Sequence, residues 1–98
     1  MKLIDIVRAR ESLQKLVTQD LPIRTAYELM NMTDICNRHL VFYGQELAKF
    51  DPVADPDRLR ELEDMEVSDI HAVSVQITDG LKLSAADVKM LLPLVSFE

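Results

Sequence analysis

Cys36 and His39 stand three residues apart, close enough to share one face of a helix. A thiolate and an imidazole at that spacing could be two ligands of a zinc site, or the nucleophile and base of a thiol-dependent hydrolase. Either chemistry needs more partners. A structural zinc takes about four ligands, yet the chain holds one cysteine and one further histidine, His71. A Cys–His nucleophile needs a third group to orient the imidazole and donors for an oxyanion, and no motif supplies them. A small thiol in a helix seam is the plainer role for Cys36. The acids Asp51, Asp55 and Asp57 raise calcium, but they lack the central glycine and closing glutamate of an EF-hand loop, and Pro52 and Pro56 intrude. No aromatic set accompanies a carboxylate pair suited to glycoside chemistry. The two glycines, Gly44 and Gly80, form no phosphate-cradling run. Tyr27, Phe42, Tyr43 and Phe50 have core-like helical spacing rather than the look of a base-stacking platform. Met30, Met32, Met65 and Met90 suit core filling or an adaptable binding surface. The expectation is a protein that is not an enzyme and takes no metal or cofactor.

The elements that carry these residues are mainly helical. Leu3, Ile6, Val7, Leu13, Leu16 and Val17 recur at helical spacing, so residues 3–18 form a first helix, with a short edge strand at Lys2 and Leu3 as an alternative. Thr18 to Pro22 break it, and Asp20 is a candidate N-cap for the next helix. Residues 22–50 contain no internal proline. Ala26, Thr33, Leu40 and Leu47 fall on one heptad position, and Leu29, Cys36, Tyr43 and Phe50 on the position three later. This seam predicts lengthwise packing on the first helix, as an antiparallel helical hairpin with a long second helix. Met30, Met32, Ile35, Val41 and Phe42 lie off the seam, and the second helix overhangs the first, so something must cover Leu40 to Phe50. Asp55-Pro56 starts a short helix over 56–65. Val73, Val75 and Ile77 alternate with polar residues, Asp79-Gly80 is a hairpin turn, and Leu81-Lys82-Leu83 resumes the alternation, which predicts a small β-hairpin. Ser84 with Asp87 has capping-box spacing and opens a short C-terminal helix limited by Pro93. Leu94, Val95 and Phe97 form an apolar tail that needs docking or an interface. The expected fold is thus mainly α within the α+β class, over one domain divided at 3–50, 51–69 and 70–98.

Composition bounds the partners. The chain has 98 residues, 48% hydrophobic and 29% charged, enough apolar surface to oppose disorder. No apolar run approaches a membrane span, and the charged opening MKLIDIVRAR does not read as a signal peptide. One cysteine fits a reducing compartment. The net charge of −6 opposes direct nucleic-acid or anionic-membrane binding. That charge is concentrated. Residues 1–50 carry +1, residues 51–69 carry −6 and residues 70–98 carry −1. Asp55, Asp57, Glu61, Glu63, Asp64, Glu66 and Asp69 form the acidic patch, either a solvated surface or a contact for a basic partner.

Two stretches together carry a family likeness. IVRARESLQKLVTQDLPIRTAYELMNM gives a short helix ending in LQKL, a polar break, and LPI-basic-TAY leading into a long helix. VSDIHAVSVQITDGLKLSAADVKMLLPLVSFE gives an alternating strand, a turn, L-S-x-A-D, a short hydrophobic helix and a proline. The chain resembles a family of short tailed-phage and prophage proteins from low-GC Gram-positive bacteria, catalogued as a domain of unknown function. It departs from that family at 51–66, where relatives are more basic. The resemblance implies a phage setting and a bacterial cytoplasmic or virion-associated location, and assigns no catalytic residue. The excess apolar surface then suggests a protein–protein interaction module for particle assembly, through self-association or another phage or host protein. Its interface candidates are Met30, Phe42, Tyr43, Leu47, Phe50 and Phe97. The acidic patch suggests an alternative, a small inhibitor of a host defence or nucleic-acid enzyme.

Overall fold

The computed structural model describes residues 1–98. Four helices and two short strands follow in the order α1 (Leu3–Val17), α2 (Ile23–Leu47), α3 (Pro56–Glu63), β1 (Val73–Val75), α4 (Ala85–Leu91) and β2 (Val95–Phe97). The fold is mainly α with a minor β component.

α1 is the central element. Its inward residues Leu3, Ile6, Ala9, Ser12, Leu13 and Leu16 are buried on a stripe wide enough to serve two neighbours. α2 packs on one side of it and α4 on the other, with α3 touching its beginning. Val17 shares a cleft with Ala26 and Leu29 near the turn, and Ile6 shares one with Leu40 farther along. α1 and α2 therefore run in opposite directions. The α2 residues that reach the core are Leu29, Met32 and Cys36. The heptad reading placed Leu29 and Cys36 correctly and left Met32 outside. The core stripe is rotated toward Met32 because β1 packs on that flank, while Ala26 is exposed.

α2 stops at Leu47, so Phe50 lies beyond the helix. α3 folds back to cover this end: Phe50, Arg58, Leu62 and Met65 line one cleft, and the Arg58 guanidinium sits 4.8 Å from the Phe50 ring centroid. Asp55 caps α3 by accepting from the Arg58 amide at 3.2 Å, with Pro56 in the first turn, as its sequence requires. Asp20 does not cap α2. Pro22 holds the N-cap position with no side-chain cap, and the amide of Ala26 donates to the Pro22 carbonyl at 2.9 Å. Asp20 lies two residues too early to reach the free amides.

The expected β-hairpin does not form. β1 pairs in parallel with β2, in the register Val73 to Val95, Ser74 to Ser96 and Val75 to Phe97. Asp79-Gly80 does turn, with Leu81 N–H donating to the Thr78 carbonyl at 3.0 Å. Residues 81–83 then lead into α4 instead of returning along β1. Parallel strands need a long crossover, and α4 supplies it. The apolar tail wins the strand because it buries more: Leu94 and Val95 are core residues, whereas Lys82 is exposed. A second backbone clasp joins the beginning of α1 to the connector, where Leu3 N–H donates to Met65 and Val67 N–H to Met1, each at 2.8 Å. Lys2 and Glu66 thus form an isolated antiparallel bridge, all that exists of the alternative edge strand.

Candidate functional site

Four groups of side chains could do chemistry or bind. The first is Cys36 with His39. Cys36 is buried in the core, and burial, with the charge of Asp69, pushes its thiol up to about 11. It is a protonated thiol at neutral pH and a poor nucleophile or ligand. His39 turns away to the connector, with Nε2 2.8 Å from Asp69 Oδ1. That hydrogen bond is the main reason the Asp69 carboxyl is held below its usual range. No three His, Cys, Asp or Glu side chains gather where a metal ion could sit.

The second group is the acidic patch. Three of its seven residues are tied to other parts of the chain. Asp64 meets Lys2 Nζ at 3.4 Å, Glu66 meets the Met1 amino group at 3.3 Å, and Asp69 meets His39. Asp55 is spent on its cap, and Glu63 is half-buried. Asp57 and Glu61 are exposed and unpaired on α3. Much of the connector's charge is therefore a fastening that holds the segment against α1 and α2. Sequence spacing could not show this, because the partners lie far away in the chain.

The third group is interior. Asp87, at the start of α4, accepts from the Ser12 hydroxyl at 2.8 Å and from Lys15 Nζ at 3.3 Å. It also closes the capping box with Ser84, through bonds of 3.2 and 3.1 Å. Ser12 and Asp87 are the buried polar residues, and together they pin α4 to α1. The hint in the sequence is Ser12 itself, a hydroxyl at an inward position between Ala9 and Leu13. The Ser12 hydrogen bond and the Ser84 amide hold the Asp87 carboxyl at about 2, below the ordinary 3.8. A depressed folded-state value stabilises the fold above the unfolded value and is lost as pH falls through the folded one. The melting temperature is therefore expected to fall between about pH 4 and pH 2. Asp87→Asn should lower it at neutral pH and flatten that acid limb. A limb of unchanged steepness in the variant would assign it to other carboxylates.

The fourth group is the outer face of α2. Ile23, Tyr27, Met30 and Val41 are 90, 61, 51 and 58% exposed. They belong to one row with alternating steps of four and three residues, Ile23, Tyr27, Met30, Asp34, Asn37, Val41, Gly44 and Ala48, and every member is exposed. This row has heptad spacing and lies on a face of α2 turned away from the core. A cleft of about 260 Å³ lies beside it, lined by Val17, Leu21, Ala26, Leu29, Met30 and Thr33 among others. Of the six interface candidates, Met30 and Phe42 lie exposed, and Leu47 is half-buried. Tyr43, Phe50 and Phe97 pack against the chain's own core. Ile23 escaped the sequence reading, and Tyr27, given core-like spacing there, is exposed instead, because the core seam occupies another side of the same helix. The row's spacing was visible beside it.

The chain matches no protein-family model, no curated protein and no solved structure. No helix is long and apolar enough to cross a membrane.

Proposed function

We propose that the chain is a phage- or prophage-encoded, non-enzymatic protein–protein interaction module that works by self-association during particle assembly, in the bacterial cytoplasm or on the virion. The observation that carries this reading is the outer row of α2. Its apolar members stay in water although α1, α3 and β1 already occupy the helix's other sides. Light scattering after size exclusion tests it. The expected mass is a defined multiple of the 11.2 kDa chain. Tyr27→Glu should return the protein to a folded monomer whose melting temperature no longer depends on concentration. A monomer at every concentration would overturn the reading. Asp57 and Glu61 favour a second one, a small acidic inhibitor that occupies a basic groove of a host enzyme. Failure to capture any such enzyme would remove that alternative, and capture that survives Asp57→Lys with Glu61→Lys would remove its electrostatic form.

A further inference from the structure

We infer that the partner seated on the outer face of α2 is the α2 helix of a second copy, running antiparallel about a twofold axis near Ile35 and Cys36. This rests on the self-association reading and adds the surface, the direction and the register. The row is complementary to its own reverse. Laid antiparallel, Tyr27 of one copy meets Gly44 of the other, Met30 meets Val41, and Asp34 meets Asn37. A large ring opposes the one position without a side chain, and nothing beyond Gly44's immediate neighbours and its own turns of helix backbone lies within 4 Å of where a Gly44 Cβ would stand. The space beside Gly44 is open to a partner's ring.

The charges agree with the sizes. Asp34 and Arg38 are exposed and join none of the chain's ion pairs. One turn apart on either side of the axis, each faces the other's counterpart. The twofold makes the contact twice, as an isologous interface must. Asn37 stands beside the pair and can donate to the Asp34 carboxylate. A parallel pairing would instead set Asp34 against Asp34, Tyr27 against Tyr27 and Gly44 against Gly44, which repels at the centre and leaves a gap at one end.

Two single-cysteine variants, Met30→Cys and Val41→Cys, test the register by oxidative cross-linking. Both positions are exposed, so neither change disturbs the core, and native Cys36 is buried. Each variant alone should stay uncross-linked, because its two thiols sit several turns apart. The equimolar mixture should give a covalent dimer. Cross-linking of either variant with itself, or none in a mixture that light scattering shows to be dimeric, would overturn the register and leave self-association standing. A monomer by light scattering would overturn both. Asp34→Arg should weaken the dimer by about tenfold through like-charge contact, and Asp34→Arg with Arg38→Asp should restore it. Failure of that rescue in a variant that melts normally would count against the charge pairing.

Discussion

Removal of Val95–Glu98 is expected to lower the free energy of unfolding by about 3–6 kcal/mol. Val95 is buried, and burying a valine contributes roughly 1.5–3 kcal/mol. The truncation also breaks the pairing with β1. Ile77 N–H loses the Glu98 carbonyl at 2.7 Å, and the Val75 carbonyl loses Glu98 N–H at 2.9 Å. Each such bond is worth about 1 kcal/mol net. Val75, now fully buried, would meet water along one edge. Small domains have only about 5–15 kcal/mol in hand, so the shortened chain should unfold at a much lower urea concentration. Urea titration followed by circular dichroism checks this. An unchanged midpoint would make β2 an appendage rather than a core strand.

Neighbouring substitutions on α2 should have opposite signatures. Leu29→Ala removes a buried side chain between α1 and α2 and should cost about 2–5 kcal/mol. Met30→Ala, one residue on, removes a side chain that is half in water and should change monomer stability by no more than about 0.5 kcal/mol. It should instead weaken self-association. Parallel measurement of urea midpoints and concentration-dependent mass separates the two. If Met30→Ala proved as destabilising as Leu29→Ala, the outer face would belong to the fold.

The helices were legible in the sequence because their signals are local. Asp55-Pro56 and Ser84 with Asp87 mark starts through bonds that span three residues. The spacing of Leu3, Ile6, Leu13 and Leu16 sufficed for α1. The β pairing was not legible. Asp79-Gly80 is a sound turn signal, but strand partners are chosen by burial. Leu94 and Val95 offer more of it than the Leu81–Leu83 segment. The acidic connector misled in a similar way. Its charges appear as a field in sequence, yet Asp64, Glu66 and Asp69 each contact a group 30 or more residues away. The α2 seam was read in the right helix with its centre slightly off. A helix bearing two apolar rows gives a composite pattern, and only packing tells which row is inside.

The central position of α1 governs the order in which the chain can fold. Its contacts with α2 close across a short turn, so that pair can assemble within a fast, local step. Its contacts with α4 close over most of the chain: Ser12 and Asp87 are 75 residues apart. Until that loop closes, the second half of the α1 stripe stands bare, and β1 has no partner strand. The docking of the β1–α4–β2 crossover is therefore the closure with the larger loop-entropy cost. Substitutions at Leu91 or Leu94 would act mainly on refolding if that docking is largely made in the transition state, and mainly on unfolding if it comes after. The transient species would carry an open apolar groove along α1. The Ser12 hydroxyl within that groove marks where the Asp87 carboxylate has to arrive.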